Sequence, residues 1–254
     1  MEQAIFKTIL FDRVEEHIAV ITFNCPEKLN VFTDESEREF SEALKLAGED
    51  DTVRVLIITG TGRVFSAGED INAFPTGSGA IRKTMQKLKR PELLFFPKPA
   101  IAAVNGTAAG MGADCALMCD MIIATEGGRL IFPGAKLGII CPYAFVRLAD
   151  EIGRAKAKEI LMTGDPLSAE EAAAFGLVNK VVPGDRLMDE ALHLARKIVK
   201  AAPLSVKAFK ESINRNLGGF EYSYETMIDL LSTEDRAEGM KAFLEKREPR
   251  FLGK

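Results

Sequence analysis

A chain of 254 residues, 47% hydrophobic and 28% charged, has the composition of a soluble globular protein with a sizeable core, built as one large domain or a domain with an appendage. Its net charge of −4 argues against nucleic acid as the main partner, because phosphate recognition calls for a basic surface. No apolar run approaches the roughly 18 residues of a membrane span, and the opening "MEQAIFKTILFDRVEE" has early acids where a signal or transit peptide would be basic, so a cytoplasmic protein is expected.

The first segments, "AIFKTILFDRV" and "HIAVITFN", alternate or run apolar with β-branched residues and read as a strand hairpin. After the turn-rich "NCPEKLNVF" comes an amphipathic helix, "TDESEREFSEALKLAGED", opened by Thr33 or Asp34, with Gly48 near its end. "VRVLIITG" is a continuous apolar strand of the kind buried on both faces, followed by a Gly/Ser/Ala loop, "TGRVFSAGED". "PTGSGA" leads into a helix, "IRKTMQKLKRPELLF". Next are the strand "KPAIAAVNG", a glycine-rich stretch, a short helix through "ADCALMCD", and the strand "MIIAT".

From Pro142 onward the pattern is mostly helical, broken by one strand, "LVNKVVP". Ser168 and Glu171 form a capping box, and Gly176 stands where a helix C-terminus favours positive φ. No repeat of fixed period is visible. The class is α/β, with a core domain over 1–195 and a helical C-terminal region over 196–254. The cysteines Cys25, Cys115, Cys119 and Cys141 contain no C-x-x-C pair, and His17 and His193 lie in unrelated segments. Buried thiols in a reducing compartment are therefore expected, and no metal or other cofactor.

The stretch "VNGTAAGMGADC" (104–115) removes nearly every side chain and then places an acid, Asp114. Glycine costs conformational entropy and fills no space, so packing alone does not explain it. Together with "FSAGED", it is one of two small-residue loops that each follow a buried strand, where open α/β sheets place ligands. Side by side, such loops offer backbone N–H groups, reinforced by the positive end of the helix beginning near Met111, to a single oxygen. That is an oxyanion hole, worth roughly 3–4 kcal/mol per donor when charge develops in a transition state. The plain alternative is two tight strand-to-helix turns.

"FSAGEDI", "KPAIAAVNGTAAGMGADCALMCDMIIA", "AKLGI", "MTGDPLSAEEAAAFGLVNKVV" and "EGMKAFLEKREPRF" resemble, in order and over nearly the whole chain, the crotonase family of enoyl-CoA hydratases and isomerases. The resemblance implies a spiral of ββα turns, a helical C-terminal trimerisation region, and acyl-CoA thioester substrates with no further cofactor. It assigns the oxyanion donors to the N–H groups of Ala67 and Met111, beside Gly68 and Gly110. It also implies CoA or substrate contacts at Lys28, Leu29, Gly68, Asp70, Ile71, Gly110, Phe243 and Lys246, the last two in a basic tail. A homotrimer or a dimer of trimers is the expected assembly.

The acids depart from the hydratase pattern of two glutamates. The first position falls on Asp114, one methylene shorter, and the second on Gly134, which has no side chain. A positioned acid or base is worth on the order of 10²–10⁴ in rate, so hydration is expected to be weak and an enolate-forming reaction, such as double-bond isomerisation, to be favoured. Decarboxylation of a malonyl-type thioester is the alternative, suggested by "FSAGEDINAFP" and by a similarity to methylmalonyl-CoA decarboxylase-like members. There Glu69 and Tyr143 join Asp114 as catalytic candidates, against the plainer readings of a solvated loop acid and a packed aromatic. A Clp-type peptidase is excluded because its serine would fall on Gly110. An RNA-binding homologue is disfavoured by the acidic balance and the intact loops.

Overall fold

The strands that read as continuous apolar runs are buried on both faces. In the computed structural model, which describes residues 6–70, 92–137, 142–214 and 233–254, the first two strands, β1 (Ile9–Glu15) and β2 (Ile18–Phe23), form the expected antiparallel hairpin. Each of the next long strands is followed by a short one: β3 (Val55–Gly60) by β4 (Val64–Ser66), β5 (Ala100–Val104) by β6 (Thr107–Ala109), and β7 (Met121–Thr125) by β8 (Arg129–Ile131). β9 (Leu167–Ser168) and β10 (Lys180–Val182) complete the set. The long strands make a sheet in the order β1-β2-β3-β5-β7-β10, parallel apart from the hairpin. The short ones make a second sheet, β4-β6-β8-β9.

This second sheet is the main departure from the sequence reading, which has a loop at 61–70 and no strand at 107–109, 129–131 or 167–168. Segments of two or three residues carry no periodicity, and only pairing with their neighbours makes them strands. The alternation of long strand, short strand and helix is the expected spiral of ββα turns. Its long strands begin at Val55, Ala100 and Met121, so the turns are unequal in length and leave no fixed period to read.

The helices are α1 (Asp34–Glu49), α2 (Met111–Met118), α3 (Gly134–Leu137), α4 (Pro142–Glu151), α5 (Arg154–Thr163), α6 (Ala169–Ala174), α7 (Leu187–Val199), α8 (Pro203–Asn214) and α9 (Glu234–Glu245). Thr33 caps α1 in a capping box whose N3 residue is Ser36, and Gly48 stands one residue before the helix end. The Ser168–Glu171 box opens α6, and Gly176 follows that helix at φ +86°. Most of the segment read as the helix "IRKTMQKLKRPELLF" lies outside the described residues.

Period-two side-chain placement divides the core. Ile18, Val20, Val55, Ile57, Ile101, Ala103, Ile123 and Val182 face α7, packing on Leu187, Ala191 and Ala195. Their neighbours Ala19, Ile21, Leu56, Ile58, Ala102 and Ile122 face the larger cluster shared with α1, α2 and the second sheet. Burying each Ile or Leu stabilises the fold by about 1.5–3 kcal/mol. Helix α7 crosses position 195, where the sequence reading places the start of the helical region. Helix α8 is docked by Lys210, whose Nζ donates to the Lys98 carbonyl and to Asp120 Oδ2, both at 2.8 Å. Cys115 and Cys119 are buried free thiols, pushed well above the ordinary range by burial; Cys141 lies outside the described residues. Among the described residues no helix is long and apolar enough to cross a membrane.

Candidate active site

The loop leaving β4 and the N-terminus of α2 meet at a seam with no room for side chains. A Cβ on Gly68, at φ +95°, would lie 2.7 Å from the Ala109 carbonyl oxygen and 3.4 Å from the Met111 nitrogen. A Cβ on Gly112 would lie 2.6 Å from the Ser66 carbonyl oxygen. Gly110 is the N-cap of α2 at φ +51°, with no side-chain cap, so the first-turn N–H groups beginning at Met111 stay open. The small residues therefore serve close backbone approach, and the two loops do lie side by side.

Which N–H groups face the seam follows from where the others go. Ala67 donates to the Leu29 carbonyl at 2.9 Å. Gly68 donates to Ser66 Oγ at 3.1 Å. Asp70 donates to the Phe32 carbonyl at 3.0 Å and Gly110 to the Ile131 carbonyl at 2.9 Å. Glu69 forms a parallel bridge with Phe32, in which Phe32 bonds to the residues on either side of Glu69. The Glu69 N–H thus projects from the opposite edge, the edge on which β4 pairs with β6. Among the described residues it has no acceptor, and neither has the Met111 N–H. The expected Ala67 donor is corrected on this ground: its single hydrogen is engaged, and the open pair is Glu69 and Met111.

Asp114 lies on the first turn of α2, 1% exposed. Its Oδ1 accepts the Ala144 N–H at 3.1 Å, and the neighbouring Tyr143 N–H also favours its charged form, so the N-terminus of α4 faces it. Burial outweighs those donors, and the nearby Glu69 charge adds to it, so the Asp114 carboxyl is pushed up to about 7. An acid titrating there both takes and returns a proton at neutral pH. Glu69 is half-buried and its carboxyl is raised by burial. Glu37, on α1, is raised by burial and then by Glu69. Sequence reasoning missed Glu37, since an acid in the first turn of an amphipathic helix carries no local mark. The half-buried Tyr143 phenol is raised by burial and then by Asp114.

Gly134, the first residue of α3, is buried and supplies no second carboxylate. Lys28 ends a short 3-10 turn, and Leu29, in the left-handed region at φ +55°, presents its carbonyl to Ala67, which places this turn against the oxyanion loop. Ile71 and the side chain of Phe243 lie outside the described residues. Lys246 is exposed just after α9, in the left-handed region at φ +54°. The tail beyond it folds back on α9. Asp235 accepts the Leu252 and Gly253 N–H groups at 2.6 and 2.9 Å, and Arg247 pairs with Glu238 and Glu245. Of the basic residues at 241–254 (Lys241, Lys246, Arg247, Arg250 and Lys254), Arg247 is thereby neutralised within its own segment.

Residues 13–254 match the family model described as enoyl-CoA hydratase/isomerase. The chain is 36% identical to the 1,2-epoxyphenylacetyl-CoA isomerase of Escherichia coli (strain K12), over 96% of this chain and 98% of that one. It is 33% identical to the 2,3-dehydroadipyl-CoA hydratase of the same organism, over 94% and 97%. Among solved structures, enoyl-CoA hydratase subunit I of Geobacillus kaustophilus HTA426 is similar with a TM-score of 0.91 at 34% identity, covering 98% of this chain and 99% of that one.

Proposed function

The chain belongs to the enoyl-CoA hydratase/isomerase family, and from that premise we propose that its particular reaction is proton transfer through a thioester enolate, with Asp114 as the group that moves the proton. The Asp114 carboxylate takes a proton from the carbon next to, or conjugated with, the thioester. The electron pair moves onto the thioester oxygen, where the Glu69 and Met111 N–H groups stabilise it. Asp114 then returns the proton at the other end of the allylic system, and the double bond has shifted with atoms and charge balanced. The observation that carries this reading is the buried Asp114, bonded to the Ala144 N–H at the start of α4 and beside the two open donors, with its carboxyl pushed up by burial.

Hydration needs one group to hold and deprotonate water and another to protonate carbon. Gly134 offers neither, so crotonyl-CoA hydration is expected to be slower than isomerisation. The relatives above are named as an isomerase and a hydratase, and this does not favour the decarboxylase alternative. CoA contacts at Lys28, Leu29 and Asp70, an assembly of three or six copies, and a cytoplasmic location complete the proposal, with coenzyme A entering as part of the substrate and no separate cofactor. A mass-spectrometric screen of 2-enoyl-, 3-enoyl- and aryl-substituted CoA thioesters in deuterated water tests the reaction. Isomerised product carrying solvent deuterium is expected. Crotonyl-CoA hydration as the fastest reaction on the panel would overturn the subtype.

A further inference from the structure

We propose that Ser66 is a positioning residue for the oxyanion seam, fixed in turn by Asn30; the proposal rests on the thioester reading above. Ser66 is 0% and Asn30 3% exposed. The Ser66 hydroxyl has one hydrogen, and it goes to the Asn30 carbonyl at 2.7 Å. This leaves a lone pair facing the Gly68 N–H, which donates to Ser66 Oγ at 3.1 Å. The peptide before Glu69 is held on both sides: its Gly68 carbonyl accepts the Phe32 N–H at 2.7 Å, which turns the Glu69 N–H toward the seam, and Ser66 fixes the Gly68 N–H that precedes it. Ser66 also touches the other donor's helix, since its Cβ and Oγ lie 2.8 and 3.0 Å from where a Cβ on Gly112 would sit. A single side chain thus sets both halves of the hole.

Asn30 keeps the hydroxyl's acceptor in place. Its Nδ2 donates to the Thr61 and Val64 carbonyls at 2.9 and 3.0 Å, and its Oδ1 accepts the Cys25 N–H at 2.9 Å. It follows Leu29 into the left-handed region, at φ +52° after +55°. Asn tolerates that conformation and Leu does not favour it, so the turn persists because the amide bonds hold it. The turn that carries Lys28 and Leu29 is by this means registered against the oxyanion loop.

The test compares wild type with Ser66→Ala and Ser66→Cys, using acetoacetyl-CoA as a probe whose bound enolate is read by near-ultraviolet absorbance. Loss of the hydroxyl leaves the buried Gly68 N–H without an acceptor, so the peptide before Glu69 keeps its Phe32 bond but loses the restraint on its other side. In Ser66→Ala the ionisation of bound acetoacetyl-CoA is expected to move up by about one pH unit, and kcat on the best panel substrate to fall about tenfold at unchanged KM. The isosteric Ser66→Cys should fall between the two. A merely structural serine would lower the melting temperature while leaving the bound enolate and kcat unmoved, and that result overturns the proposal. Should wild type fail to bind acetoacetyl-CoA at all, the thioester reading itself falls, which is a separate outcome.

Discussion

Replacing Asp114 with Asn should make the protein more stable and nearly inactive, and the size of the gain should depend on pH. The carboxyl is raised from an ordinary value of 3.8 to about 7 by burial, so the folded state holds a proton that the unfolded chain releases. A group of this kind lends its full stability below 3.8 and loses it as pH rises to about 7. At 1.36 kcal/mol per pH unit, the loss reaches about 2 kcal/mol at pH 5 and levels off at about 4 kcal/mol above pH 7. Asn keeps an oxygen for the Ala144 N–H at no charge cost, so the stability difference between variant and wild type should grow by about 2–3 kcal/mol from pH 5 to pH 8. Equilibrium urea denaturation at the two pH values measures it, and turnover of the best thioester should drop on the order of 10²–10⁴. If Asp114→Asn destabilises equally at both pH values, the carboxylate is a settled partner of α4 and the reasoning from desolvation is wrong.

The same titration shapes activity. The ionised carboxylate is the base, so kcat/KM should rise about tenfold per unit up to about pH 7 and then flatten, with Glu69 as the neighbouring charge; a limb near pH 4 in the rate profile would contradict this. Gly68→Ala places a Cβ 2.7 Å from the Ala109 oxygen at φ +95°, so turnover should fall at least about tenfold with a stability loss of about 1–3 kcal/mol, read by kinetics and calorimetry. Lys210→Met leaves the half-buried Asp120 carboxylate without its cation, and urea denaturation should show a loss of about 3 kcal/mol.

The main sheet and its flanking helices were written locally. The apolar runs at 55–60, 100–104 and 121–125, the hairpin, and the caps at Thr33 and Ser168 depend on residues within a few positions of each other, and hydrophobic period and cap chemistry expose such short-range patterns. The glycine loops and the acid at Asp114 were legible for the same reason, because removing side chains beside a carboxylate is visible in the string itself. The motif resemblance added the family and the thioester. Tertiary structure alone decided the second sheet, whose strands of two or three residues exist only through pairing. It also decided that Asp114 meets the start of α4, about thirty positions along the chain, and that Glu37 stands near Glu69. Above all it decided which backbone hydrogen faces the seam. Every residue of "FSAGED" carries one, and only the partners across space, Leu29 for Ala67 and Phe32 for Asp70, together with the local Ser66 hydroxyl for Gly68, leave the Glu69 hydrogen open, since an N–H is available only when nothing nearby has already accepted it.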